Sequence, residues 1–161
     1  MDLHPSCEPL AFLLGVWKGA GEGHYPTIES FRYNEEVTFG HVGKTFLSYM
    51  QKTKHAETGE PLHAEAGYVR PVEGGGAELV VVQPSGIVEL HTGVVTNTSI
   101  AFSSIGVHTT PTAKTVTQVT RSLMVDDLDG MVTLTYDVEM AAVGQPLTHH
   151  LSASLVRQTN G

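Results

Sequence analysis

The sequence predicts an all-β protein: one antiparallel up-and-down barrel of about ten strands, with one or two short helical turns. Apolar and polar residues alternate with a period of two along most of the chain, which is typical of half-buried strands. Turn-forming clusters separate these segments at short intervals, too short for crossover helices. We expect the strands to close into a barrel because closure removes sheet edges, with a two-sheet sandwich as the alternative.

The chain opens with its main helix candidate and a glycine-rich strand. The helix is predicted over Glu8–Leu14 and ends at Gly15. Glycines then occupy positions 15, 19, 21 and 23, and Trp17 takes the remaining slot on that face. Four glycines on one face indicate a sharp bend or the close approach of another backbone or of a flat ligand. A second, one-turn helix is predicted between Tyr25 and Ser30.

Later strands follow from the same alternation. Apolar residues at 31, 33, 37 and 39 share one parity and define the second strand. Further strands are predicted over Thr45–Lys54, His63–Pro71, Glu78–Gln83, Ile87–Val95, Ser99–Ser104, Thr115–Val125, Met131–Ala142 and Leu147–Gln158. Turn sequences lie at 58–61, 73–76, 84–86, 126–130 and 143–146. We find no repeat or linker and expect a single domain over residues 1–161, wide enough to hold one small ligand.

Composition excludes several classes of protein. Nine Lys and Arg against 17 Asp and Glu give a net charge of −8, and no basic run is present. A nucleic-acid partner or an anionic membrane surface is therefore not expected. Cys7 is the only cysteine, so neither an intramolecular disulfide nor a cysteine-based zinc site can form. We see no secretory leader or membrane span and expect a cytoplasmic location.

Common catalytic motifs are also missing. The glycine run lacks the spacing and the strand–helix context of a nucleotide-binding loop, and no Gly-x-Ser-x-Gly elbow occurs. Glu35 and Glu36 are neighbours on a strand and so point to opposite faces. Nine histidines raise the question of a metal cluster, but their spacing does not indicate one. We expect a structural hydrogen bond between His63 and Glu65, and surface or turn positions for His4, His55 and His91.

The glycine-rich run carries a resemblance to known barrels. Gly-x-Trp at its start is similar to the lipocalin and fatty-acid-binding proteins. The longer run Gly-x-Trp-x-Gly-x-Gly-x-Gly-x-Tyr-Pro-Thr-Ile at positions 15–28 resembles the signature of the nitrobindin family. The similarity continues in order through 31–36, 41–44, 61–68, 111–114 and 144–151. It covers nearly the whole chain.

This resemblance implies a function. Nitrobindins are ten-stranded barrels that carry ferric b-type haem near the barrel mouth, bind nitric oxide and isomerise peroxynitrite to nitrate. Their proximal histidine lies in a run Gln-Pro-Leu-x-x-His-Leu, which here makes His150 the expected iron ligand and catalytic residue. The implied protein is a haem-dependent peroxynitrite isomerase with ferric haem b as cofactor and nitric oxide and peroxynitrite as ligands. A homodimer is possible.

Parity of the last strand favours a different histidine. His149 shares its face with Leu147 and Leu151, whereas His150 shares its face with Thr148 and Ser152. The family motif selects His150, and the face of a twisted strand can shift by one residue. We therefore predict His150 as the ligand, with His149 as the alternative.

The resemblance also implies roles for two residues outside the last strand. Thr27 is expected beside the haem, where its hydroxyl can donate to a propionate or a bound oxyanion; the alternative is a helix N-cap after Pro26. Lys114 is a candidate partner for a propionate, with a solvated lysine as the alternative. Tyr25 and Tyr33 are candidate radical traps.

A non-enzymatic barrel is the alternative function. It would be a carrier of fatty acids, other lipids or haem, or a nitric oxide sensor. Fatty-acid carriers usually hold the ligand carboxylate with a buried arginine, and Arg121 and Arg157 are the candidates on late strands.

Overall fold

The computed structural model describes residues 1–159 and contains a closed barrel of ten antiparallel strands. Each strand pairs with its neighbours in sequence, and β1 pairs with β10 to close the barrel. The strands are β1 (Gly15–Tyr25), β2 (Ile28–Gly40), β3 (Leu47–His55), β4 (Pro61–Val72), β5 (Gly76–Gln83), β6 (Ile87–Thr96), β7 (Ser99–Thr109), β8 (Val116–Leu128), β9 (Met131–Ala142) and β10 (Thr148–Arg157). The predicted up-and-down barrel is confirmed, and the sandwich alternative is wrong.

Two strands continue three residues or more past their predicted C-terminal ends. Strand β7 continues past Ser104 to Thr109, and its pairing with β6 shifts register near His91, so the simple alternation is broken where the prediction ended. Strand β8 continues through the predicted turn at 126–128 to Leu128. The turn itself needs only Asp129 and Gly130, which have φ of 55° and 84°. Two residues with positive φ make the tight hairpin turn that matches the twist of paired strands.

The predicted one-turn helix between Tyr25 and Ser30 is wrong. Pro26 and Thr27 form a two-residue turn, and Tyr25 pairs directly with Ile28 across the hairpin. The strands can continue this far because their backbone groups satisfy each other up to the turn, which leaves no segment free to form a helix.

A 3₁₀ helix over Pro5–Leu13 closes the floor of the barrel. It begins three residues before the predicted Glu8 and buries Cys7, Leu10 and Leu13 completely. Trp17, also fully buried, donates from Nε1 to the Leu13 carbonyl at 2.8 Å. The Arg157 guanidinium lies 4.5 Å from the centre of the Trp17 ring and donates to the Phe12 carbonyl at 2.6 Å. No helix within residues 1–159 is long and apolar enough to span a membrane.

The glycine face of β1 is covered by neighbouring parts of the barrel. A Cβ at Gly21 would overlap the ring of Tyr33, and one at Gly23 would overlap the ring of Phe31. A Cβ at Gly19 would meet the backbone of β10. The glycines therefore permit close approach, as predicted, but the body that approaches is the protein's own aromatic rings and backbone. This brings the Tyr33 ring close against the β1 backbone.

Candidate functional site

The barrel encloses a cavity of about 380 Å³. Its floor is apolar and includes Phe39, Leu79 and Leu134, while polar side chains cross the barrel at mid-height. Its mouth faces the end that carries the turns after β1, β3, β5, β7 and β9. The 3₁₀ helix directly precedes the start of β1, and the mouth is at the end where β1 finishes. The helix and the mouth therefore lie at opposite ends of the barrel. The mouth of the cavity is therefore at the end where β10 begins.

His150 lies at a bulge in this end of β10. His149 pairs with Glu139 and Leu151 pairs with Val138, so His150 is an extra residue between two paired ones. A bulge of this kind re-aims the side chains around it. His150 and Leu151 both line the cavity, whereas the His149 side chain is 45% exposed. Strand parity, which favoured His149, fails here because it assumes unbroken alternation.

A second irregularity holds the His150 imidazole in place. The pairing of β1 with β2 shifts between Gly23 and Tyr25, and the carbonyl of His24 accepts a hydrogen bond from His150 Nδ1 at 3.0 Å. The Tyr25 ring packs against the imidazole edge, with ring centroids 5.3 Å apart. Tyr25 is itself fixed, because its hydroxyl donates to the Met140 carbonyl at 3.0 Å.

These contacts determine the chemistry of His150. A carbonyl can only accept, so Nδ1 carries the proton and Nε2 keeps its lone pair. Burial lowers the pKa of His150, since the imidazolium loses hydration there. A neutral imidazole whose other nitrogen is bound to a carbonyl is the usual form of a metal-ligating histidine.

The mouth around His150 is apolar. Ile28 and Leu62 are 44% and 45% exposed although both line the cavity, and Phe31, Met140 and Leu151 lie among the same lining residues. Exposed apolar side chains around a cavity are a mark of a binding site. The rim suits a flat, largely apolar group that remains partly open to solvent. Haem fits this donor and lining.

Thr27 and Lys114 both lie at the mouth end of the barrel. Thr27 is exposed in the β1–β2 turn, and no helix follows it, so the N-cap alternative is wrong. Lys114 is exposed in the connection between β7 and β8. Both residues are therefore near the opening of the cavity, and their roles remain predictions.

Arg121 is the centre of a buried ionic cluster that the sequence analysis missed. It donates to Glu65 at 2.6 and 3.1 Å and to Glu89 at 3.0 and 3.1 Å. Both carboxylates have side chains 3% exposed. Although burial opposes ionisation, the Arg121 guanidinium holds the pKa of Glu65 well below its usual range. The sequence does contain a sign of this cluster. On three strands a charged residue occupies a position that the alternation assigns to the barrel interior, which indicates a polar layer inside the barrel.

This cluster removes the anchors of the fatty-acid alternative. Among residues 1–159, Arg121 supplies the only guanidinium that lines the cavity, and two carboxylates already neutralise it. Arg157 lies at the floor against Trp17. Neither arginine is placed to hold a ligand carboxylate.

His91 is not the surface residue that was expected. It is 1% exposed and bonds through Nε2 to Glu89 at 2.8 Å. His63 Nε2 lies 3.5 Å from Glu65, as predicted. His4 is the N-cap of the 3₁₀ helix, and His55 is the last residue of β3, before the turn to β4. Within residues 1–159, no three His, Cys, Asp or Glu side chains are arranged to hold a metal ion.

A second polar chain runs beside the ionic cluster. Gln51 donates to Glu35, Tyr136 donates to the other oxygen of Glu35 at 2.8 Å, and the hydroxyls of Tyr33 and Tyr136 are 2.8 Å apart. Burial raises the pKa of Glu35 to about 7, in spite of these hydrogen bonds. A carboxyl group that titrates near neutrality inside a binding cavity is a candidate for function.

Fold and site together define a closed β-barrel with one oriented, neutral imidazole at an apolar mouth. The family model of the THAP4-like, heme-binding beta-barrel domain matches residues 6–157, and the chain belongs to this family, whose barrels are of the nitrobindin type. The resemblance drawn from the sequence is thus confirmed.

Named relatives support the same assignment. The chain is 50% identical to peroxynitrite isomerase 1 of Mycolicibacterium paratuberculosis, covering 98% of both chains. It is 46% identical to the peroxynitrite isomerase of Nocardia farcinica, covering 96% of this chain and 92% of that one. The crystal structure of Rv2717c from M. tuberculosis superposes with a TM-score of 0.88 at 46% identity, covering 98% of this chain and 100% of that one.

Proposed function

We propose that this protein binds ferric haem b through His150, binds nitric oxide there and isomerises peroxynitrite to nitrate. The observation that carries the proposal is the neutral His150 imidazole, held by the His24 carbonyl with Nε2 free beside the apolar mouth. Family membership and the names of the relatives agree with it.

The bulge at His150 gives the ligand its position. A neutral imidazole can bind iron without first losing a proton, and the hydrogen bond to His24 fixes the ring orientation before the haem arrives. Thr27 and Lys114 would bind the propionates or a bound oxyanion at the solvent edge. Ile28, Phe31 and Leu62 would cover the macrocycle and exclude water from its inner face.

A bound ferric haem would supply the iron chemistry for converting peroxynitrite to nitrate. The apolar wall at the mouth would limit the escape of peroxynitrite fragments into solvent. The net charge of −8 provides no long-range attraction for an anionic oxidant. Reactivity toward peroxynitrite must therefore arise locally at the site.

Haem titration of two adjacent variants tests the ligand. His150→Ala is expected to lose the Soret band of the haemin-loaded protein, because Nε2 disappears. His149→Ala is the matched control, one residue away and outside the cavity, and its Soret band is expected to match that of the unchanged protein. A lost band in His149→Ala together with a normal band in His150→Ala would overturn the assignment.

Product analysis tests the reaction. In stopped-flow mixing with peroxynitrite, the haem-loaded protein is expected to give faster decay and more nitrate than the haem-free protein or buffer. Equal nitrate yields in all three would refute the isomerase proposal. Retained nitric oxide binding would then leave the carrier or sensor alternative.

A further inference from the structure

Two phenols that line the cavity donate hydrogen bonds to buried carboxylates. Tyr136 donates to Glu35 at 2.8 Å, and Tyr49 donates to Glu65 at 2.6 Å. The two pairs are at similar heights in the barrel and differ in what else binds the carboxylate. Arg121 binds Glu65 through two hydrogen bonds, whereas Glu35 is bound directly by the neutral groups of Gln51 and Tyr136.

This difference sets the basicity of each carboxylate. Burial raises the pKa of Glu35 to about 7, so its carboxylate is a base matched to neutral pH. For Glu65, burial acts in the same direction, but Arg121 and the hydrogen bonds outweigh it and hold the pKa well below its usual range. Glu35 can take up a proton near neutrality, and Glu65 cannot.

Proton acceptance matters because a phenol that loses one electron becomes a strong acid. Its oxidation is easiest where a base already accepts its O–H hydrogen bond. Tyr136 meets this condition through Glu35. Tyr49 has a carboxylate of low basicity, and Tyr25 donates to backbone carbonyls, which are very weak bases.

We propose that Tyr136 is a redox-active residue of this barrel, which reduces nitrogen dioxide in the cavity with transfer of its phenolic proton to Glu35, and which is the site where the protein is then nitrated. The proposal rests on the proposed function for the source of nitrogen dioxide, a fragment of peroxynitrite. It assigns a protective role to the polar chain beside the ionic cluster.

The chemistry balances in two steps. First, one electron passes from Tyr136 to nitrogen dioxide, which becomes nitrite, while the phenolic O–H bond breaks and the proton bonds to Glu35. Second, a C–N bond forms between a second nitrogen dioxide and the ring carbon ortho to the C–O bond, Cε, of the phenoxyl radical. The hydrogen on that carbon moves to the oxygen, and the product is 3-nitrotyrosine.

Tyr33 is a positioning residue for this site. Its hydroxyl is 2.8 Å from that of Tyr136 and 3.4 Å from the Ser152 carbonyl. With the Tyr136 proton on Glu35, the Tyr33 hydroxyl can donate to the phenoxyl oxygen and stabilise the radical. Close approach of the Tyr33 ring to Gly21 permits this geometry.

The groups around Glu35 predict the pH dependence. Besides Tyr33 on its own strand, Glu35 is faced by Tyr136 from β9, Gln51 from β3, Glu65 from β4 and Arg121 from β8. Of these, Glu65 and Arg121 keep their charges across neutral pH. Glu35 is therefore the group that titrates, and radical formation at Tyr136 is expected to rise as the pH increases through about 7.

The test supplies nitrogen dioxide directly to the haem-loaded protein, by pulse radiolysis of nitrite solution. Tyr68, which is 50% exposed on the outer face, is replaced by Phe in every sample so that it does not capture the oxidant. Electron paramagnetic resonance of rapidly frozen samples detects phenoxyl radicals, and mass spectrometry of peptides locates nitration. We expect both signals at Tyr136, with little at Tyr49.

Three variants test the assignment. Tyr136→Phe should lose both the phenoxyl radical signal and the nitration. Glu35→Gln keeps the shape of the site, but its radical yield should be low and should not vary with pH. Tyr49→Phe is the matched control and should change neither. Nitration of Tyr49 equal to that of Tyr136, or a Glu35→Gln protein with an unchanged yield and pH profile, would overturn the proposal. Because the oxidant is supplied chemically, these results do not depend on whether the protein isomerises peroxynitrite.

Discussion

Replacing Arg121 by methionine is expected to destabilise the barrel strongly, because it leaves two buried carboxylates without their cation. The guanidinium makes four hydrogen bonds of 2.6–3.1 Å to Glu65 and Glu89, whose side chains are 3% exposed. Removing one partner from a buried ionic cluster costs ~3–5 kcal/mol. For a chain of this size, that corresponds to a fall in Tm of about 6–20 °C.

The loss of stability caused by Arg121→Met should also depend on pH, and the direction of this dependence can be predicted. In the unchanged protein the pKa of Glu65 lies below the ordinary 4.5, so its stabilising effect is present above that value and is lost as the pH falls. Without Arg121, burial raises the pKa instead, and stability is lost as the pH rises through the raised value. The difference between the two proteins should therefore widen from about pH 5 to pH 7.

Urea unfolding at both pH values measures this difference. Arg70→Met is the control, since Arg70 forms a single exposed ion pair with Glu78 at 2.8 Å and should cost at most ~1 kcal/mol. Restoring neutrality with Glu65→Gln and Glu89→Gln in the Arg121→Met background should recover much of the loss. Equal destabilisation by Arg121→Met and Arg70→Met, or a difference that does not vary with pH, would refute the reasoning.

Three further predictions follow from the floor, the bulge and the imidazole. Trp17→Ala should lower stability by ~3–5 kcal/mol in chemical unfolding because it leaves a cavity under the floor; a change below 1 kcal/mol would contradict the packing. Deleting His149 removes the bulge and should turn the remaining histidine out of the cavity, so that haemin gives no Soret band; an intact band would contradict the role of the bulge. Because burial lowers the pKa of His150, haem affinity should persist to more acidic pH than an exposed histidine allows, and a Soret titration that falls at the ordinary histidine pKa would contradict this.

Most of the barrel could be predicted from local patterns. Alternation located all ten strands, because each strand has one face toward the core, and Met131–Ala142 was predicted with its observed bounds. The errors lie where tertiary pairing overrides local preference. Strand β8 extends through the apparent turn at 126–128, and the hairpin at Pro26 replaces the expected helical turn.

The candidate site, like the barrel, could be predicted from the sequence only in part. The sequence shows polar residues at strand positions that face the barrel interior, and these are candidates for a buried polar layer. They include Glu65, Glu89 and Arg121. Their partners cannot be chosen from the sequence, since Arg121 bonds to residues 32 and 56 positions away and only the register of the closed barrel sets those distances. Tyr136 and Glu35 meet for the same reason.

The sequence alone determined the barrel, the family and the motif that contains His150. Only the tertiary structure decided which of two adjacent histidines faces the cavity, because a bulge changes the face of a residue without changing its neighbours in sequence. It also decided the protonation of that histidine through the His24 carbonyl, 126 residues away. Local alternation defines strands, but the chemistry of their side chains depends on contacts that form only when the barrel closes.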